Sequence, residues 1–136
     1  MSGVPVRLGN ISQFELYNTA IDIRVRITRL VASSAVPKSY RFTFAVPMAQ
    51  TARSMVYNIV TADAFYPNSE DAVTMRKRHL TLAIADCEQL YQDMQCLLAM
   101  GLPVPASRLD EISEALDREI ELLKGARKGV KLIGKR

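Results

Sequence analysis

Apolar residues recur along this chain at intervals of three and four positions, the spacing of one face of an α-helix. Four such stripes are present, within residues 16–30, 44–62, 80–98 and 109–123. No segment alternates apolar and polar residues with the period of two that is typical of strands. The pattern predicts an all-α protein, an up-down-up-down antiparallel four-helix bundle with a basic C-terminal tail.

The residues of these stripes are the expected core. Its members, in helix order, are Leu16, Ala20, Ile23, Ile27 and Leu30; Phe44, Met48, Ala52, Met55, Ile59 and Ala62; Leu80, Ile84, Cys87, Leu90, Tyr91, Met94, Leu97 and Leu98; and Leu109, Ile112, Leu116, Ile120 and Leu123. Five further apolar residues lie off the stripes and suggest a second apolar surface for subunit contacts: Val25, Val31, Tyr57, Val60 and Leu82.

Helix boundaries follow from capping residues. The first helix is predicted to begin at Ser12, with Glu15 completing a capping box and Ile11 packing on Leu16, and to end at about residues 32–34. The second helix is predicted from Pro37 to about residues 63–64. Pro47 lies ten residues inside it and cannot donate to the Thr43 carbonyl, so we expect a kink or a short break there.

The last two helices are bounded in the same way. Asn68 or Ser69 is the expected cap of a third helix over about residues 71–100, which Gly101 closes. Ser107 and Asp110 are predicted to open the fourth helix as a capping box, and Gly125 to end it. The expected organisation is an N-terminal extension (1–11), the bundle (12–124) and a mobile basic tail (125–136).

Charge is unevenly distributed, although the net charge of the 136 residues is only +4. Residues 1–61 hold seven Lys and Arg against two carboxylates, residues 62–123 hold five against twelve, and residues 124–136 hold six against none. Such polarity suits contact with a polyanion, complementarity between subunits, or both. No apolar run approaches the roughly 18 residues of a membrane span and the N-terminus lacks a hydrophobic signal region, so we expect a cytoplasmic protein.

Motifs for catalysis and metal binding are missing from the sequence. Cys87 and Cys96 are nine residues apart, which places them on opposite faces of one helix, and His79 is expected at the surface. "GARKGVK" lacks the spacing of a phosphate loop, and no G-x-S-x-G, H-E-x-x-H or Glu-x-x-His pattern occurs. We expect no enzymatic activity, metal or cofactor. The carboxylates of helix 4 are expected on a solvated or subunit-facing surface: Asp110, Glu111, Glu114, Asp117, Glu119 and Glu121.

The placement of cations suggests contact with nucleic-acid phosphates, whose affinity would depend on salt. The alternative is an ordinary charged surface with a solubilising tail. The candidate residues are Arg24, Arg26, Arg29, Lys38, Arg41, Arg76, Lys77, Arg78, Arg127, Lys128, Lys131, Lys135 and Arg136.

Four segments carry a family resemblance. "PKSYRFTF" at 37–44 resembles the Pro-Lys-x-Tyr-Arg-aromatic-Thr stretch of small four-helix bundles related to the accessory variability determinant of diversity-generating retroelements. "NIVTADAF" at 58–65, "LYQDMQCLLAMGL" at 90–102 and "RLDEISEALDREIELLKG" at 108–125 follow in the same order. The resemblance covers roughly residues 14–128, and only the first motif is specific.

The resemblance implies a basic homopentamer without catalytic activity that binds a reverse transcriptase and nucleic acid during mutagenic retrohoming. Related bundles encoded in ribosomal RNA intervening sequences imply the alternative, a structural or protein-interaction bundle with no retroelement role. The chain departs from the pattern at Pro47 and in the acidity of helices 3 and 4. A ring joins different faces of neighbouring subunits, so we hypothesise that carboxylates of helix 3 or 4 contact cations of helix 1 or 2 across subunits.

Overall fold

Four long α-helices make up most of the computed structural model, which describes residues 11–134 and the side chains from Phe14 onward. They are α1 (Ile11–Ala32), α2 (Val46–Ala64), α3 (Glu70–Ala99) and α4 (Ala106–Lys128), and the described residues contain no strand. α1 and α3 each pack against both α2 and α4. The prediction of an all-helical protein with four packed helices is confirmed. Within this part of the chain, no helix combines the length and the apolarity that crossing a membrane requires.

The predicted stripes form the core. Every stripe residue of helices 1, 2 and 4 is buried, because each stripe turns toward the centre of the four helices. On α3 the prediction is right for most positions, but Ile84 and Tyr91 are half-buried and Leu98 is exposed. Of the apolar residues off the stripes, Tyr57, Val60 and Leu82 are exposed, whereas Val31 packs against the core. Three of the five residues proposed for a second apolar surface are therefore exposed.

The chain enters helix 2 through irregular turns. A 3₁₀ turn (Lys38–Tyr40) and a π-helical turn (Arg41–Ala45) precede α2, and the N–H of Val46 donates to the Arg41 carbonyl five residues earlier. The wider π turn suits this position, since Pro47 has no N–H for the Thr43 carbonyl. The predicted kink or break at Pro47 takes the form of this change in hydrogen-bond pattern at the start of α2, and the backbone of Ala45 and Val46 stays helical through it.

The ends of α3 follow the prediction. The Ser69 hydroxyl accepts a hydrogen bond from the N–H of Ala72 at 3.1 Å, which caps the first turn. At the other end Gly101 has a φ of +71°, a left-handed conformation that glycine adopts without strain. Its N–H donates to the Leu98 carbonyl, and the N–H of Leu102 donates to the Leu97 carbonyl. This is the Schellman arrangement, which satisfies the last carbonyls of a helix.

Both predicted ends of helix 4 are wrong. α4 begins at Ala106, and the extended residue Pro105 precedes it and accepts hydrogen bonds from the N–H groups of Arg108 and Leu109. Ser107 lies in the first turn and caps nothing, because Pro105 already takes the cap position. At the other end the helix continues past Gly125 to Lys128, since the half-buried Ala126 and the buried Val130 extend its apolar face.

The two termini differ from the prediction where they are described. α1 begins at Ile11, and the capping box of Ser12 lies outside the described side chains, as do Lys135 and Arg136. The tail was expected to be mobile from residue 125. Instead Val130 is buried in the core, and the N–H of Ile133 donates to the Pro67 carbonyl at 2.9 Å.

Candidate functional site

The three cations of the run Arg76-Lys77-Arg78 on α3 have different surroundings. The Arg76 guanidinium lies against the end of α2, within 3.4 Å of the carbonyls of Ala62, Asp63 and Phe65. It also pairs with the Asp63 carboxylate at 3.7 Å, and its side chain is only 16% exposed. Arg76 therefore satisfies the last carbonyls of α2 and is not free to bind a phosphate. Lys77 and Arg78, the next two residues, are exposed.

The end of α4 brings further cations to the same place. The Arg127 guanidinium donates to the Thr81 hydroxyl at 3.1 Å, which joins the last turn of α4 to the early part of α3. Lys128 and Lys131 follow and are exposed. We call this group the basic end surface; its members are Lys77, Arg78, Arg127, Lys128 and Lys131. None of them forms an ion pair with a carboxylate among the described side chains.

The candidate cations of α1 are less available. Arg26 pairs with Asp22 at 2.9 Å and with Glu111 of α4 at 3.6 Å. Arg24 is half-buried, and of these three arginines only Arg29 is in the exposed class. The contact between Arg26 and Glu111 has the composition that we expected across subunits, a helix 1 cation with a helix 4 carboxylate, but it forms within one chain.

A second exposed group lies before α2. Lys38 and Arg41 are exposed, and the Arg41 guanidinium lies 5.9 Å from the ring centroid of Phe42, which is itself 80% exposed. Phe44 points the other way into the core, and its ring centroid is 6.1 Å from that of Tyr40. The motif "PKSYRFTF" thus presents cations on one face and contributes to the core with another, as predicted.

These two cation groups lie at opposite ends of α2. Arg76 fixes the start of α3 to the last turn of α2, whereas Lys38 and Arg41 precede its first turn. The 19 residues of α2 separate the two ends by about 28 Å. The structure therefore does not bring the predicted cations together into one site.

A polar network that the sequence pattern does not indicate connects α2 and α3. Both the Ser54 hydroxyl at 2.8 Å and the Asn58 amide at 3.0 Å donate to Asp86 Oδ2. His79 Nδ1 lies 2.9 Å from Asn58 Oδ1, and its ring stacks on Phe65. Because the Asn58 oxygen must accept, His79 Nδ1 carries the proton. Burial raises the pKa of Asp86, and the two hydrogen bonds oppose that rise.

The same network corrects the expectation that His79 is an ordinary surface residue, since it is half-buried and has a fixed partner. The Ser54 hydroxyl donates to Asp86, and no hydrogen bond joins His79 to Ser54 among the described residues. The arrangement therefore lacks the serine–histidine hydrogen bond that activates a nucleophile. It satisfies polar groups at a helix–helix contact.

Glu119 contradicts the predicted acidic surface of helix 4. The other five carboxylates of that surface are exposed, but the Glu119 side chain is 0% exposed. Neither of its oxygens has a hydrogen-bond partner in the described part of the chain. Burial raises its pKa to about 9. Its position three residues after Leu116 and four before Leu123 is the sequence feature that indicates a core location.

An apolar groove adjoins the basic end surface. Leu16 and Tyr17 of α1, Ile59 of α2, and Leu122 and Ala126 of α4 contribute to its lining. Exposed apolar side chains at its margin are Phe14, Val60 and Ile133. The groove therefore offers an apolar surface beside a cationic one.

Comparisons of the chain with protein-family models, with curated proteins and with solved structures gave no match.

Proposed function

We propose that this chain is a non-enzymatic accessory protein that binds a reverse transcriptase and the backbone of RNA or DNA, and supports mutagenic retrohoming by a diversity-generating retroelement. The observation that carries the nucleic-acid part is the basic end surface: four of its five cations are exposed, Arg127 is half-buried, and none has a carboxylate partner among the described residues. Exposed cations without a carboxylate partner are suited to phosphate contacts, because each such contact releases counterions from the nucleic acid. The reverse transcriptase part rests on the resemblance of "PKSYRFTF" and the segments after it.

The proposed assembly is a cytoplasmic homo-oligomeric ring, a pentamer by the same resemblance, built from bundles whose helices run alternately up and down. The connection between α3 and α4 is only six residues long, which favours antiparallel neighbours. Tyr91 of α3 donates a hydrogen bond to Asp117 at 2.8 Å, and Thr81 accepts one from Arg127. Earlier residues of α3 thus meet later residues of α4, in support of that arrangement.

The decisive experiment measures RNA affinity over a series of salt concentrations. Replacing Lys77, Arg78 and Lys128 together by Ala should weaken binding and lower the slope of log affinity against log salt by about 2 to 3. The matched control replaces Arg53 and Arg118, which are exposed cations outside the basic end surface, and should retain the wild-type slope. Equal loss in both variants, or a flat salt response of the wild type, would refute the proposed interface.

The reverse transcriptase part needs its own measurement. A gene for a reverse transcriptase next to this one, with paired template and variable repeats, would supply the partner protein for a co-purification experiment. Stable co-purification supports the accessory role. If that partner does not bind while RNA does, the retroelement role fails and the nucleic-acid role survives.

The second candidate function is a structural or protein-interaction bundle with no retroelement role. The apolar groove with Phe14, Val60 and Ile133 at its margin favours it, because apolar surface of this kind commonly marks a protein contact. Under this function, Val60→Asp abolishes binding to the partner protein and leaves RNA affinity near the level of the control variant. If the first function holds, the alanine variant of Lys77, Arg78 and Lys128 loses RNA affinity and still binds the partner protein.

A further inference from the structure

Glu119 is a carboxylic acid enclosed by the bundle without a polar partner. It lies on α4 among Leu116, Ile120 and Leu123, all buried core residues. Burying a charged carboxylate without a cation or hydrogen bonds costs far more than burying its neutral form. At neutral pH the folded chain therefore holds this group as the uncharged acid.

The groups that face Glu119 offer no compensation. From α3, burial raises the pKa of the Cys87 thiol, and this thiol lies close enough that ionised Glu119 would raise it further; Asp86 and Glu88 act on it in the same direction. From α2, Met55 accepts the Cys87 S–H at 3.4 Å and brings no charge. The buried face of α1 is apolar, and its Arg26 lies at the surface with Asp22 and Glu111.

We propose that Glu119 is a pH-sensitive switch that couples proton binding to the closure of α4 on the bundle, with the protonated acid closing α4 and the ionised form releasing it and uncovering Cys87. α4 is the element that moves, because it carries Glu119, and its displacement brings the carboxylate into water. Cys87 is the natural reporter, since it is fully buried in the closed bundle and faces the same interior.

The direction of the switch follows from linkage. Burial raises the pKa of Glu119 from an ordinary value of 4.5 to about 9, and no other cause contributes. The closed bundle thus binds this proton more tightly than the open one. The stabilisation is complete below pH 4.5, declines as pH rises, and is lost once pH passes about 9. Between pH 7 and pH 9 the open population should grow about 50-fold.

Thiol labelling tests the switch in the full-length chain. In a Cys96→Ser background, the labelling rate of Cys87 is measured at pH 7 and pH 9 in the folded chain and in the urea-unfolded chain. The protection of Cys87 is the unfolded rate divided by the folded rate at the same pH. This ratio removes the pH dependence of the thiol itself. The protection of Cys87 should fall about 50-fold from pH 7 to pH 9. In Glu119→Gln it should stay within about twofold, whereas Glu114→Gln, an exposed carboxylate on the same helix, should behave as the parent chain.

Two further measurements locate the effect and do not depend on a variant. Amide hydrogen exchange, expressed as protection factors, should show that α4 loses protection at pH 9 while α2 retains it. Carboxyl-carbon NMR of the parent chain should show one glutamate that titrates far above the rest. Constant Cys87 protection in the parent chain, equal loss of protection in all four helices, or ordinary titration of Glu119 would each overturn the switch.

Discussion

A single buried carboxyl sets a stability cost that substitution can remove. Glu119→Met keeps the length of the side chain and replaces its unpartnered acid with an apolar end. Because the folded state must bind a proton at pH 7, the exchange should raise the free energy of unfolding by roughly 3 kcal/mol. Urea denaturation at pH 7 measures this. Glu114→Met, at an exposed position of the same helix, should change it by less than about 0.5 kcal/mol, and equal effects would contradict the argument.

Neighbouring cations on α3 should have different effects when removed. Arg76→Ala leaves the carbonyls at the end of α2 without their donor and should cost about 1–3 kcal/mol of stability. Lys77→Ala should leave stability unchanged and weaken RNA binding, since this side chain is exposed. Thermal unfolding and binding of one RNA, measured on both variants, separate the two roles. Weaker binding by a fully folded Arg76→Ala chain would show that Arg76 also contacts RNA.

The sequence identifies the cations but does not show which of them are free to bind a phosphate. Whether a cation is free depends on which carboxylates and carbonyls lie opposite, and those contacts come from other helices, as for Arg26 with Glu111 and Arg76 with α2. Glu119 was missed for another reason. A carboxylate was assigned to the surface by its residue type, although its spacing from Leu116 and Leu123 belongs to the apolar face.

At the scale of the helices, two glycines should respond in opposite ways to alanine. Gly101 has a φ of +71° at the end of α3, where a side chain is strained, so Gly101→Ala should cost about 1 kcal/mol. Gly125 lies inside α4 with open space where its side chain would point, so Gly125→Ala should stabilise by about 0.5–1 kcal/mol. Denaturant unfolding of both variants tests the pair. Stabilisation by Gly101→Ala would exclude the left-handed turn.

The same contrast explains which helix boundaries the sequence could predict. The apolar stripes depend on a period that every turn of a helix repeats, and they identified most of the core in all four helices. A boundary depends on one or two residues, and packing can override them. Gly125 would end an isolated helix, but burial of Val130 beyond it holds the chain in place. Pro105 took the cap position expected for Ser107, and the π turn before Pro47 could be anticipated only as a break.

At the scale of the whole chain, some of the opposite charges pair with each other within the same bundle. Arg26 of α1 already meets Glu111 of α4, and Arg76 meets Asp63. Among the candidate cations whose side chains are described, two exposed groups without a carboxylate partner lie at the two ends of α2, and the exposed carboxylates of α4 face solvent. A ring in which the acidic face of one bundle meets the basic start of helix 2 of the next would leave the basic end surface open. Assembly and nucleic-acid binding would then use different surfaces.

Charge reversal tests that division of surfaces. Replacing Glu114 and Asp117 together by Lys should dissociate the proposed ring, because cations would then face cations across the subunit contact. Native mass spectrometry gives the particle mass, and circular dichroism shows whether the helices persist. Asp117 also accepts the Tyr91 hydroxyl, so Tyr91→Phe is the control that removes this hydrogen bond without changing charge, and it should keep the wild-type mass. A ring that survives the double reversal, or a wild-type chain that is monomeric, would exclude an interface built on these carboxylates.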